Sequence, residues 1–292
     1  MTEPTGPTTR RRQLGAGLKR LREETARLTL EEAAAETGIA KSNIHRYEGP
    51  TGGVKRHVVE VLCRAYGASD AEREALVAIA ANAKQLGWYM SHDIPGWIRT
   101  LYMLEDEASE LCHFAPGYVP GIVQTEAYAL AAHRASEPRA TSEELERMVR
   151  VRMKRQEVLR RENPPHLWLI LDEGPIRRQV GGPAIMAEQM ASLLSAAESP
   201  KITLQILPFT AGANAAEASQ FVIIRGAQPS LDVVYLGHQT SALYLEKPDD
   251  LARYRMVFDY LRSEALDSTA SAALLTSAAK EYAEAARKES QQ

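Results

Sequence analysis

The sequence predicts a mainly α chain with an α+β second part: an N-terminal domain of five short helices, then a helical segment, then a small mixed β-sheet with helices. Three observations carry this. Apolar residues recur at helical spacing from Leu14 to about Asn82; short runs of branched apolar residues are confined to the last third; and the charge divides along the same line. Residues 1–67 hold 12 Lys/Arg against 8 Asp/Glu, and the remainder 23 against 30. A basic head on an acidic body suits a chain that meets phosphate at one end only. At 292 residues there is room for two cores. The expected division is a disordered basic arm over 1–12, a helical domain over 13–84, and a second domain over 85–292, helical to 165 and α/β from 166.

The apolar and charged fractions are those of an ordinary globular protein. No apolar run approaches the length of a membrane span and no signal-peptide pattern opens the chain, so a cytoplasmic protein with no membrane partner is expected. Cys63 and Cys112, far apart in sequence, read as reduced and buried, with a redox switch as the alternative.

The opening MTEPTGPTTRRR has no apolar period and should be unstructured. Its Arg10, Arg11 and Arg12 are either a solvated basic tail or an arm reaching phosphate or a minor groove. Leu14, Leu18 and Leu21 stripe the first helix, and Thr29 followed by Glu32 is a capping box that starts the second. Over LEEAAAETGIAKSNIHRY, Leu30 to Tyr47, Ala34 lies four residues before Gly38 and Ile44 six after it. Two helices crossing steeply over a short turn need a small residue where they touch, a glycine free to take positive φ, and a branched apolar residue pinning the second helix. Ala33, Ile39 and Tyr47 supply the remaining buried contacts. Gly49, Pro50, Gly52 and Gly53 then break the chain, Val58, Val61, Leu62 and Tyr66 stripe a fourth helix ending at Gly67, and a fifth runs from Asp70 to about Asn82.

Five short helices with the turn between the second and third resemble the XRE, lambda-repressor-like, helix-turn-helix domain. Lys41, Ser42, Asn43, His45 and Arg46 face outward from the second helix of the pair and are the candidate readers of double-stranded DNA, with Thr29 beside them. Lys41 and Arg46 suit guanine O6 and N7, Asn43 suits adenine, and Ser42 adapts to several bases. Phosphate contact is an equal alternative for both cations, and His45 is the weakest candidate. Two departures stand out: Leu30 replaces the polar residue, commonly Gln, that often touches phosphate there, and Ala40 replaces the usual Ser or Thr cap. The head's modest charge excess predicts a homodimer on paired half-sites.

Beyond residue 84, Trp88, Tyr89, Trp97 and Tyr102 form a dense aromatic segment, and Pro116 and Pro120 a rigid turn ahead of a helix begun near Gln124. A long helix is expected from Ser142 to Arg161, with seven basic residues and one acidic between Arg147 and Arg161, read as a solvated face or as a surface for DNA or an acidic partner. Strands are expected at Leu167–Asp172, Ile202–Leu207, Phe221–Arg225, Val233–Leu236 and Leu243–Glu246. A helix over Pro183–Ala197 links the first two as a β-α-β crossover, and the later strands form an antiparallel meander. Helices near Pro248–Ala265 and Ala270–Arg287 complete the chain.

The segments VPGIVQTEAYA, VRMKRQEVL, LWLILDEGPIRRQVGGPAIMAEQM, ITLQILPFTAGA and VVYLGHQTSALYLEKPDDLARYRMVFDYLR resemble the C-terminal domain of WhiJ-like regulators, actinobacterial XRE proteins whose second domain has no agreed activity. The resemblance implies an antitoxin-like transcriptional regulator controlled by a small protein encoded by an adjacent gene. A small-molecule effector in an aromatic pocket of Trp88, Trp97 and Tyr118 is the alternative, and these residues with Asp172, Glu173 and Arg177 are the candidate effector or partner surface. Asp172, Glu173, Arg177, Arg178 and His238 near strand ends invite an enzymatic reading. Without a nucleophile elbow, a Walker motif or a metal-spaced His/Cys cluster, no enzyme, cofactor or metal is expected. Asp172 and Arg177 are expected to pair with each other as readily as to serve a site, and Gly181-Gly182-Pro183 reads as a turn and a proline-started helix.

Overall fold

A computed structural model describes residues 9–49, 54–82, 88–92, 94–217, 219–226 and 232–291. The chain divides into two compact units, the first ending at Glu107 and the second beginning at Ala108. The aromatic segment therefore falls with the N-terminal unit, whereas the sequence reading opened the second domain at residue 85.

In the first unit the helices are α1 (Thr9–Arg20), α2 (Leu30–Thr37), α3 (Lys41–Glu48), α4 (Arg56–Ala65), α5 (Asp70–Asn82) and α6 (Gly96–Glu107). Helix α1 takes in Thr9–Arg12, which correct the expected unstructured arm through residue 12. Arg and Gln are good helix formers, so four of them in a row continue the α1 backbone towards its N-terminus. Residues 1–8 lie outside the described part. At its other end α1 loosens into a π-helical turn, Leu21–Ala26, closed by Arg27 in the left-handed region at φ 56°. Leu14, Leu18, Leu21, Ala33, Ile44, Val59, Leu62, Cys63 and Tyr66 form the core. Each large apolar side chain so buried contributes about 1.5–3 kcal/mol. Helix α4 turns Val59, Leu62, Cys63 and Tyr66 inward with Val58 packed partly buried beside them, and leaves Val61 43% exposed, where the sequence reading had Val61 on the stripe.

In the second unit β1 (Glu110–Ala115), α7 (Glu126–Ser136), α8 (Ser142–Arg155), β2 (His166–Asp172), α9 (Gly174–Arg177), α10 (Pro183–Ala197), β3 (Ile202–Leu207), β4 (Phe221–Arg225), β5 (Val233–Gly237), β6 (Ala242–Leu245), α11 (Pro248–Glu264) and α12 (Ser268–Glu289) follow in turn. Among the described residues the sheet has six strands in the order β3-β2-β1-β4-β5-β6. Strands β1, β2 and β3 run parallel, with Leu111 beside Leu167 and Leu169 beside Leu204; β4, β5 and β6 form an antiparallel meander joined to β1 through pairs such as Cys112 and Ile223. Helix α10 is the link between parallel β2 and β3, as the spacing required. Strand β1 was not anticipated: the region 85–165, read as helical, contains a central strand of the sheet.

Cys112, Phe114, Ile170, Phe221, Ile223 and Val234 share one face of the sheet, covered by Leu251, Val257, Phe258 and Leu261 of α11. Helices α10 and α12 pack on each other and on β3. Helix α8 ends at Arg155 and tightens into a 3-10 turn over Gln156–Leu159, short of the expected Arg161, with the side chain of Gln156 turned inward. Its Nε2 donates to the carbonyls of Gly121 and Gln124 at 3.0 and 2.7 Å. Gly181 at φ 75° packs against α7, where a Cβ would lie 2.8 Å from that of Ala131, and Pro183 opens α10 as expected. Cys63 and Cys112 are both free and buried, and burial pushes their thiols up to about 11 and about 12. No described helix is long and apolar enough to cross a membrane.

Candidate nucleic-acid interface

The helix pair is built as its residue types require. Thr29 accepts from the Glu32 amide at 3.2 Å while the Glu32 carboxylate accepts from the Thr29 amide at 2.8 Å, completing the capping box and using the Thr29 hydroxyl to start α2. These hydrogen bonds hold the Glu32 carboxyl below its usual range. Gly38 takes φ 69° and its amide closes α2 on the Ala34 carbonyl, the left-handed stop that a Cβ would oppose. Ala33 and Ile44 are fully buried, with Ala34, Ile39 and Tyr47 packed partly buried against the same core. Ala40 precedes α3 with no side-chain cap, so α3 forms through packing of Ile44 rather than through a capped first turn.

Lys41, Ser42, His45 and Arg46 are exposed and Asn43 is half-buried, so one face of α3 presents all five. Lys41 pairs with Glu31 across the turn. Both side chains are more than half exposed, and such a pair contributes little and opens readily. The Arg46 guanidinium lies over the Tyr47 ring, 5.3 Å from its centroid. Arg10, Arg11 and Arg12 stand in the first turn of α1.

A polar network that the sequence reading missed fixes the far end of α3. Arg22 donates from Nε and Nη2 to the Glu48 carboxylate at 2.8 and 2.9 Å and from Nη1 to the Leu28 carbonyl at 2.8 Å; the Tyr66 hydroxyl donates to the same carboxylate at 3.3 Å. The Arg22 and Glu48 side chains are only 7% and 5% exposed. The Glu48 hydrogen bonds hold the Arg22 guanidinium above its usual value. Burial, reinforced by Glu48, raises the Tyr66 phenol and keeps it a donor. One carboxylate thus ties the ends of α1, α3 and α4 together. In sequence Arg22 and Glu48 look like two more surface charges. The available signal was Arg22 sitting next to Leu21 on the buried side of the first helix. Beside them, a Cβ on Gly15 would lie 2.9 Å from the carbonyl oxygens of Glu48 and Gly49, so only glycine lets α1 approach the end of α3 this closely.

The remaining candidates divide between the units. Trp88 stacks on Tyr102 at 5.4 Å and meets Tyr89 and His92 edge-on, an internal aromatic cluster of the first unit, and Trp97 is half-buried on α6. Tyr118 belongs to the second unit, 45% exposed with the Arg178 guanidinium over its ring. Asp172 and Arg177 do not pair. Asp172 accepts from the Gly174 amide at 2.9 Å, whereas Arg177 donates to Glu173 at 2.9 Å and Glu281 at 3.3 Å. Glu173 stands at the i, i+4 spacing from Arg177 and wins the guanidinium over Asp172, one residue further away. Burial pushes the Glu173 carboxyl up, yet the Phe209 amide and Arg177 outweigh it and hold it below its usual range. Among the described residues no three His, Cys, Asp or Glu side chains converge as a metal site.

A capped short helix, a left-handed glycine turn and a second helix with an exposed polar face define a helix-turn-helix DNA-binding regulator. Residues 13–76 match the family described as a helix-turn-helix domain. Residues 98–277, more than half of the chain, match the domain of unknown function DUF5753, and the chain belongs to that family. No curated protein and no solved structure matches the chain.

Proposed function

We propose that the protein is a sequence-specific transcriptional regulator that binds paired half-sites as a homodimer, with α3 in the major groove. The observation that carries this reading is the single face of α3 that presents Lys41, Ser42, Asn43, His45 and Arg46 while Ile44 and Glu48 anchor its other side. Arg46 and Asn43 read base edges; Lys41, released from Glu31, and the uncapped first-turn amides of α3 meet phosphate. Arg10, Arg11 and Arg12 add phosphate contact from the start of α1. Control passes through the second unit, in the manner of the WhiJ-like, antitoxin-like regulators that its segments resemble, by docking of a small protein encoded by an adjacent gene. On this reading the second unit acts without catalysis, which the hydrogen bonds of Asp172 to a backbone amide, of Glu173 to Arg177 and the Phe209 amide, and of Arg177 to Glu281 support.

The test is binding of the full chain to its own upstream DNA and to unrelated DNA across a salt series, with and without the adjacent small protein. Tight binding to the upstream DNA, altered by the small protein, is expected. Arg46→Ala is expected to lose about 1–3 kcal/mol and to relax preference at one base pair. Equal weak binding to both DNAs removes the reading as a sequence-specific regulator, and specific binding indifferent to the small protein removes the partner control.

A further inference from the structure

Among the described residues nothing covers the side of α11 that faces away from the sheet. Ala252, Arg255, Met256, Asp259, Tyr260 and Ser263 line a shallow groove along it, with Met256 40% and Tyr260 55% exposed. Its residues repeat at three and four, so they form one stripe opposite Leu251, Val257, Phe258 and Leu261, which enter the core.

We infer that this stripe is the contact between two copies of the chain, with α11 packed antiparallel on α11 of the second copy about a two-fold axis near Val257 and Phe258. The inference rests on the homodimer reading above and assigns its surface. The stripe is complementary to itself in that one register. Ala252 falls against Ser263 of the second copy, two small residues that let the helices approach, and Met256 falls against Tyr260. Antiparallel helices bring like flanks together. On one flank Arg255 then meets Asp259 of the second copy, and on the other the exposed Arg253 meets the exposed Glu264.

The charges can serve these contacts without leaving their present partners. Arg255 uses Nη2 on Asp232, and Asp259 uses Oδ1 on Arg262, so donors of the one and an oxygen of the other face outward. Both signs alternate along the stripe. DNA, or a partner of one sign, would meet repulsion at half of the positions, whereas a second copy satisfies all of them. A single helix pair buries less than the roughly 1,200 Å² of a stable interface. The dimer is therefore weak in free solution and strengthened when two half-sites hold the copies side by side.

The experiment is sedimentation equilibrium of the full chain without DNA, for the wild type, Met256→Glu, Arg253→Glu and the charge exchange R253E/E264R, with helicity checked by circular dichroism. The wild type should dimerise reversibly. Met256→Glu and Arg253→Glu should each raise the dissociation constant about tenfold or more, since each substitution acts twice across the axis, and the charge exchange should restore it. A dimer equally tight in both single variants overturns the inference by placing the contact elsewhere, leaving the homodimer reading intact. A wild type that stays monomeric, in this assay and on its upstream DNA, overturns both.

Discussion

Replacing Glu48 by Ala should unfold the first unit far more readily than the loss of a surface charge would. The substitution removes the acceptor of three Arg22 hydrogen bonds, at 2.8, 3.0 and 2.9 Å, and of the Tyr66 hydroxyl at 3.3 Å. Arg22, with its side chain 7% exposed, keeps only Glu23 and the Leu28 carbonyl. An exposed ion pair contributes at most about 1 kcal/mol, whereas cutting a buried one leaves an uncompensated charge and costs about 3–5 kcal/mol. The two surviving partners of Arg22 place the expected loss near the lower end, about 3 kcal/mol. The companion R22M/E48L removes both charges and fills the space with apolar atoms, so most of the stability should return. The assay is native-state hydrogen exchange of the α1 to α4 amides in urea, which reads the first unit apart from the second. A loss below about 1 kcal/mol for Glu48→Ala, or a double variant no better than the single, would refute the argument from burial.

Two further outcomes follow from the packing. Gly15→Ala sets a methyl 2.9 Å from the carbonyls of Glu48 and Gly49. The overpacking, about 1–3 kcal/mol, should outweigh the roughly 1 kcal/mol gained in helix propensity, so a stabilised variant in thermal melts would contradict the close approach. His113, on central strand β1, has its Nε2 3.2 Å from Gln220 Nε2; burial, aided by Arg155, pushes the imidazole down to about 3. An unfolded histidine takes its proton near pH 6.5, so the stability tied to neutral His113 is whole above that pH and drains as pH falls toward about 3. His113→Gln should flatten the decline between pH 6.5 and 4 in denaturant titrations of the second unit.

The parts legible in the sequence are those written in local spacing. Gly38 with Ala33, Ala34 and Ile44 placed the turn and the buried side of both helices, and by subtraction the polar face of α3, because a helix fixes its faces from its own period. Thr29 and Glu32 placed the start of α2 to the residue, since a capping box closes within one turn. The later strands and the α10 link were likewise readable, being short branched runs at the spacing of a crossover.

The tertiary structure alone decided the rest. ELCHFA, Glu110–Ala115, has few branched residues and mixes charge, thiol and imidazole, so nothing local marks it as a strand; it becomes one because β2 and β4 pair with it on both sides. Helix α8 tightens into a 3-10 turn at Gln156, whose side-chain amide serves two carbonyls from another segment. Arg177 reached Glu281 across 104 residues and Arg22 found Glu48 across 26, by desolvation and geometry that no sequence window contains. Local periodicity determined which residues α3 leaves exposed. The pairing of distant charges and strands, enforced because a buried polar group must find its partner, determined how rigidly they are held.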